Sequence, residues 1–349
     1  MNKEKILVTA YGGRAAQNLV RCLKESPLCE RLYFIGADAN SNCPKVLIPG
    51  YEIDDFVVIP SPRDENYVNE IKRIVKEKKI SLVVPTSDEE CVTFSKNLQN
   101  LDGVNLIPIG SYESVLFAKD KLELYNKTKD LDIVPRTLEM RRGVGIKEIQ
   151  EEIGLPAFIK PRMGRGGRYT HIVEDNSPDE EKKLEYYWKS FNDDFGSPIC
   201  QPFMNSADHG IDMYINKNGE VYFGAMRRKL SVMTGERVVG MQSISIFEQE
   251  MMDVSRKIVE TLGLKGLTEI EMRRDSSNKF YAIDVNPRVG GSIYLSKASG
   301  SNIAMLPVLD FLNEPYPVFS YKTGVDMKRE EKEMDGNKIF WDSILVEVK

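Results

Sequence analysis

Lys160 closes a short apolar run, Ala157-Phe158-Ile159, and the turn after it contains Gly164, Arg165, Gly166, Gly167 and Arg168. Glycines let backbone N–H groups approach an anion closely, and one lysine with two arginines adds positive charge. That composition suits a phosphate cradle. It is not a Walker A loop, because no Lys-Ser or Lys-Thr pair and no apolar helix follow it. A mobile surface turn has the same composition, so the loop by itself leaves both readings open. A second group lies in Ala282-Ile283-Asp284-Val285-Asn286-Pro287-Arg288. On a strand, Asp284 and Asn286 face the same side. A carboxylate and an amide oxygen at that spacing can share a hard cation such as magnesium or manganese. Pro287 ends the strand and sets Arg288 just beyond it, where it can meet a phosphate oxygen. Glu269 and Glu271 put two more carboxylates on one face of a neighbouring strand. Glu271 is the expected third metal ligand. A solvated strand face is the plainer reading of either glutamate taken alone.

Other positions carry weaker signals. Arg227, Arg228 and Lys229 end a strand and could clamp a substrate carboxylate or a terminal phosphate, although three adjacent cations cannot all face one site. Glu89, in Thr86-Ser87-Asp88-Glu89-Glu90, follows a strand of the first domain, where open α/β sheets bind ligands. The same residues could instead cap the next helix. Gly291, after the metal strand, could line an acceptor pocket. His171 and His209 have no Ser or Cys partner at a recognisable spacing, which removes support for a hydrolase triad. The five cysteines are widely spaced, with no Cys-x-x-Cys pair, and read as small buried side chains in a reducing compartment.

The elements that must position these residues follow from periodicity. Ile6–Thr9, Leu32–Ile35, Phe56–Ile59 and Leu82–Val84 read as buried strands, alternating with helices near 15–24 and 67–75. This predicts a parallel, helix-covered sheet over residues 1–110. Residues 111–349 form the second unit, with a smaller part at 135–200 and a tail at 316–349. Ser111 starts a helix through Leu131, and a further helix spans 180–192. Residues 211–230 read as a hairpin about Asn216–Gly219, and 250–262 as a helix stopped by Gly263. Strands at 268–273 and 280–285 flank a polar turn. The tail holds a charge-rich run and a last strand, Ser343–Val346.

The formal net charge is −5, with both signs scattered, so no basic footprint for nucleic acid and no polybasic membrane patch exists. No stretch resembles a signal-peptide core or a membrane span. The expectation is a cytoplasmic protein, with a homodimer as the default assembly.

The order of Asp120-Lys121, Ile159-Lys160-Pro161, the glycine loop, Asp208-His209-Gly210-Ile211-Asp212, Glu271 and Ile283–Arg288 resembles the ATP-grasp superfamily. It looks most similar to the branch holding the carbamoyl-phosphate synthase large subunit and biotin carboxylase. The resemblance implies an α/β and α+β architecture: a Rossmann-like pre-ATP-grasp domain at 1–110, then a two-subdomain ATP-grasp fold. By the same resemblance, Lys121 and Lys160 hold ATP phosphates under a lid made by Gly164–Arg168. The backbone of Gln201, Pro202, Phe203 and Met204 reads adenine, and Asp208 takes the ribose hydroxyls. Glu271, Asp284 and Asn286 hold magnesium, and Arg288 steadies the transferred phosphoryl group. Many relatives carry Glu at the positions of Asp208 and Asp284. The implied activity joins a small-molecule carboxylate, activated as an acyl phosphate, to an amine or ammonia. A non-catalytic ATP-binding module, a kinase or a carboxylase are the alternatives on this fold. An NAD(P) oxidoreductase rests only on Gly12-Gly13, where the third glycine of the dinucleotide fingerprint is missing.

Overall fold

The computed structural model describes residues 3–43, 52–164, 168–192, 196–230, 241–334 and 338–346. Four apolar runs near the N-terminus form a parallel sheet: β1 (Glu4–Val8), β2 (Leu32–Asp38), β3 (Asp55–Val58) and β4 (Leu82–Val84), in the order β3-β2-β1-β4. Ile6 and Val8 pack into one core with Leu19, Val20 and Leu23 of helix α1 (Arg14–Lys24). Leu7 faces the other way, onto Ile71 and Ile74 of α2 (Tyr67–Lys78) and Phe94 of α3 (Asp88–Lys96). Burial on both faces is why these strands read as unbroken apolar runs.

Helix α3 starts with a capping box, in which Ser87 and Glu90 satisfy each other's backbone N–H groups. The loop therefore does cap its helix. The single helix expected from Ser111 to Leu131 is two: α4 (Tyr112–Lys119) and α5 (Lys121–Thr128). Asp120 leaves the helical region (φ −92°, ψ 106°), and its carboxylate accepts the N–H groups of Leu122 and Glu123 at 3.0 and 3.2 Å. An N-cap aspartate outcompetes continuation of the helix, and it sets Lys121 on the first turn of α5.

A small antiparallel sheet follows, built from β5 (Leu138–Glu139), β6 (Ala157–Pro161), β7 (His171–Val173) and β8 (Pro198–Pro202) in the order β5-β8-β6-β7. Helices α6 (Ile146–Glu152) and α7 (Pro178–Ser190) cover it through Ile146, Ile149, Leu184 and Tyr187. Among the described residues the large sheet has seven strands: β9 (His209–Ile215), β10 (Val221–Lys229), β11 (Met241–Ile246), β12 (Gly266–Arg274), β13 (Phe280–Asn286), β14 (Asp326–Met334) and β15 (Lys338–Val346). Their order is β13-β12-β9-β10-β11-β14-β15. One face packs on α8 (Gln249–Leu262), which Gly263 ends in the left-handed region at φ +65°. The charge-rich run of the tail is itself a strand, β14, paired along its length with β15. Its dense charges concealed that assignment.

Helices α9 (Ile293–Ala298) and α10 (Leu306–Leu312) join the core of α1, so the first sheet and the large sheet share one interior. Asn18 donates to the Gly291 carbonyl at 2.9 Å and Asn302 to the Cys22 carbonyl at 2.9 Å. Among the described residues, no helix is long and apolar enough to cross a membrane.

Candidate active site

Between the small sheet and β12–β13 lies a cleft of about 240 Å³. Lys121, Lys160, Gly164, Arg168, Gln201, Pro202, Phe203, Met204, Asp208, Glu271 and Asp284 all line it. Arg165, Gly166 and Gly167 lie outside the described residues.

Strand pairing explains how distant residues converge. Asp212 of β9 stands opposite Glu269 of β12, and Gly210 opposite Glu271. Glu269 pairs with Asn286 and Glu271 with Asp284 on β13. Across β10, Arg227 pairs with Gly210. The pleat therefore gathers Asp212, Arg227, Lys229, Glu269, Glu271, Asp284 and Asn286 on one face. Ile211, Met213, Ile270 and Met272 fill the opposite, apolar face beneath α8. The register slips between Glu271 and Met272, so that Ile283 is an extra residue on β13. This bulge puts Ile283 and Asp284 together in the cleft wall while Ala282 and Val285 stay in the core.

The cations are arranged against these acids. Lys121 Nζ is 3.0 Å from Asp284 Oδ1 and donates to the Gly164 carbonyl at 3.3 Å. Lys160, buried on β6, donates to the Ile283 carbonyl at 2.9 Å. Burial, reinforced by the charge of Lys121, pushes the Lys160 ammonium down to about 7, against the pull of Asp284 and Glu271. Burial pushes the Asp284 carboxyl up, but Lys121, Lys119 and Lys160 outweigh it and hold it well below the usual carboxylate range. Lys229 Nζ donates to Glu271 Oε1 at 2.8 Å. Asn286 Nδ2 donates to Asp284 Oδ2 at 3.3 Å. At the other end, Arg273 ties Asp208 (2.5 Å) to the Met204 carbonyl (2.9 Å), so the acid and the 201–204 segment form one wall. Gln201 is buried, and its amide donates to Thr137 at 2.9 Å.

Arg288 stands beyond the cleft wall. Its Nη1 donates to Glu269 Oε2 at 2.7 Å and to the Val289 carbonyl at 3.0 Å, and its Nε lies 3.4 Å from Asp88 Oδ1.

Five residues stand apart from where the sequence expectations put them. Arg227 is no substrate clamp: it is 0% exposed and held between Asp212 (Nη1 to Oδ2, 3.2 Å) and Glu269. Arg228, on the opposite side of the pleat, is exposed and does not line the cleft. Glu89 lines a separate cleft at the carboxyl ends of the first sheet, with Ala10, Asp38 and Arg63. Gly291 lies outside the main cleft; its carbonyl accepts from Asn18. Glu269, given a plain reading as a solvated strand residue, is 6% exposed and ion-paired.

Lys119 and Arg273 contribute to the site and are absent from the sequence candidates, whereas Lys229 and Asp88 enter them only within the runs 227–229 and 86–90. Lys229 carried a signal, since it shares the pleat face of Arg227 two residues away. The others needed the tertiary structure. Two glycines make room for the charges: a Cβ at Gly210 would lie 2.6 Å from Arg227 Nη2, and one at Gly290 would lie 2.4 Å from Asp212 Oδ1.

Among the described residues, three sheets with a charged cleft between the small and the large one form an ATP-grasp fold. Residues 194–333 match the family described as ATP-grasp in the biosynthetic pathway with Ter operon, and residues 6–107 match the PylC-like N-terminal domain. The carbamoyl phosphate synthase large chain of Clostridium acetobutylicum is 23% identical over 305 residues, covering 84% of this chain and 27% of its own length. This chain thus spans about a quarter of the curated relatives it matches. The crystal structure of N5-carboxyaminoimidazole synthetase from Staphylococcus aureus with ADP superposes with a TM-score of 0.71 at 14% identity, over 95% of this chain and 83% of that one. The L-amino acid ligase of Bacillus licheniformis gives 0.68 at 15% identity, over 96% and 82%. At such identities the likeness to the solved structures is one of fold.

Proposed function

We propose that this protein is an ATP-dependent ligase that activates a carboxylate as an acyl phosphate and passes it to an amine or ammonia. The observation that carries the reading is the meeting of Lys121 with Asp284, and of Lys160 with the Ile283 carbonyl, across the cleft between the two sheets. Two ammonium groups and two carboxylates converge there, which suits a polyphosphate with its counter-cation. The synthetase crystallised with ADP and the L-amino acid ligase, which share the fold, support the choice.

In this reading the adenine lies along Gln201–Met204, the ribose meets Asp208, and Lys121, Lys160 and Arg168 face the phosphates. Glu271, Asp284 and Asn286 would hold magnesium. The donor set fits a hard cation, because both carboxylates already take a lysine ammonium and their oxygens are the preferred ligand type. When bound, the ion neutralises phosphate charge. The substrate carboxylate oxygen forms a bond to the γ-phosphorus as the bond to ADP breaks. The amine nitrogen then attacks the acyl carbon, orthophosphate leaves, and the amine gives up a proton. Lys160 and Arg288 stabilise the transferring phosphoryl group by charge fixed in advance. Under the same proposal, residues 1–110 are the accessory domain and 111–349 the nucleotide-binding unit.

The test is ADP and phosphate release from MgATP across pools of amino acids and other carboxylates, with Arg288→Ala beside the wild type. Release that needs a carboxylate and is lost in the variant is expected. ATP binding without release across the pools would transfer the reading to a non-catalytic module, and unchanged turnover in Arg288→Ala would remove that residue from the mechanism.

A further inference from the structure

The buried ion pairs form a chain of alternating sign: Asp212, Arg227, Glu269, Arg288, Asp88, Lys119. It starts on the large sheet and crosses to the first turn of α3, in the N-terminal unit. Glu269 is shared by Arg227 and Arg288, so Arg227 fixes the carboxylate that holds Arg288. Asp88 is 5% exposed and pairs through Oδ2 with Lys119 at 3.0 Å. Its Oδ1 has no hydrogen bond, and the guanidinium nitrogen facing it is Arg288 Nε at 3.4 Å. A buried carboxylate oxygen without a hydrogen bond is costly unless it is used. Nε and Nη1 of Arg288 are thus addressed by two acids from different parts of the chain, while Nη2 has no partner among the described residues. The guanidinium fork is planar and rigid, so fixing two of its nitrogens fixes where Nη2 points.

We propose that Asp88 is a positioning residue for Arg288, so that the N-terminal unit supplies half of the clamp that aims this arginine at the transferring phosphoryl group. The inference rests on the ligase reading for its consequence in turnover, but its geometry is testable without it. Asp88 touches no substrate. It acts through Arg288 by placing its charge 3.4 Å from Nε, while Glu269 accepts from Nη1, and the two acids together restrict rotation about the last side-chain bonds. A misplacement of about 1 Å costs on the order of a hundredfold in rate, so loss of one restraint is a kinetic defect more than a binding defect.

The experiment uses the full chain with Asp88→Asn, which keeps size and removes the charge. The ¹⁵N–¹H signal of Arg288 Nε, assigned by its absence in Arg288→Lys, is recorded without and with MgADP. Thermal unfolding, the KM for ATP and the turnover found with the carboxylate pools are measured alongside. The expected result is a shifted, faster-exchanging Nε signal and turnover down about tenfold or more, with KM for ATP within about twofold. The midpoint of unfolding should stay near that of the wild type. A purely structural Asp88 would lower the midpoint and leave the Nε signal where it was. An unmoved Nε signal, or undiminished turnover, overturns the proposal. If the wild type itself turns nothing over, the ligase reading fails and the Nε signal alone decides the clamp.

Discussion

Replacing Arg227 by methionine tests the central charge arrangement most directly. The change keeps much of the side-chain length and removes the guanidinium between Asp212 and Glu269, which are 1% and 6% exposed. Glu269 retains Arg288, and Asp212 retains the Ser296 hydroxyl at 3.1 Å. Stripping one partner from a buried pair typically destabilises by roughly 3–5 kcal/mol, because a charge is left in a medium that solvates it poorly. Unfolding entropy of about 2.1 cal/mol/K per residue gives roughly 0.7 kcal/mol per kelvin for a chain of 349 residues. The midpoint should therefore fall by about 4–7 °C. The deficit must also depend on pH. In the wild type, burial pushes the Glu269 carboxyl up, but Arg227 and Arg288 outweigh it and leave it below its ordinary value. Such a group adds stability that is present above the unfolded-state value and is lost as pH falls through the folded one. Without Arg227, burial is less opposed and Glu269 titrates higher. The deficit of the variant should then be full near neutrality and shrink as the pH falls towards about 4. Urea unfolding followed by circular dichroism at both pH values measures it. A deficit under about 1 kcal/mol, or one of equal size at both, would refute the reasoning.

Lys160→Met should raise the stability of the nucleotide-free protein at neutral pH while weakening ATP binding. The folded ammonium, at about 7, loses its proton before the unfolded one. Its burial penalty is therefore full below that value and fades as the pH rises towards about 10.4; thermal scans across that window should show the gain over wild type vanishing, and a pH-independent gain would contradict the assignment. Gly210→Ala forces a methyl to within 2.6 Å of Arg227 Nη2 and should cost roughly 1–3 kcal/mol in urea unfolding. A neutral substitution would mean that the guanidinium has room to move. Asp284→Ala should lose the magnesium-dependent turnover, and chelation with EDTA should silence the wild type; full activity of the variant would remove Asp284 from the metal set, and full activity of the chelated wild type would remove the metal.

Local rules read much of this architecture from the sequence, because the informative residues are also local. Apolar runs bounded by turns placed the strands of the first sheet, and Gly263 marked the end of α8. Asp120 is a local signal with two meanings: an aspartate inside an apparent helix is as consistent with a cap as with a solvated face. The tail defeated periodicity because β14 carries charges along most of its length, and its strand identity comes from pairing with β15. Within the site, Lys160, Asp284 and Glu271 were legible from residue type and strand parity. Arg273 and Lys119 were not, since their partners, Asp208 and Asp88, lie 65 and 31 positions away.

Arg227 departs from its sequence expectation for a reason of register. Sequence shows three adjacent cations, and strand parity says only that the first and third share a face. Which face is settled by register: Arg227 stands opposite Gly210, and only a glycine there leaves room for its guanidinium. The neighbouring strand then supplies Glu269 at one end, and β9 supplies Asp212 at the other. A cation that looks available for substrate in one dimension is consumed in three by holding two acids. The acid it shares with Arg288 is what gives that second arginine a fixed direction. The cleft lysines differ in kind, because Lys121 and Lys229 rest on carboxylates that a metal ion could take over. Exchange of those partners, more than any new contact, is how the same residues could serve both the empty and the loaded site.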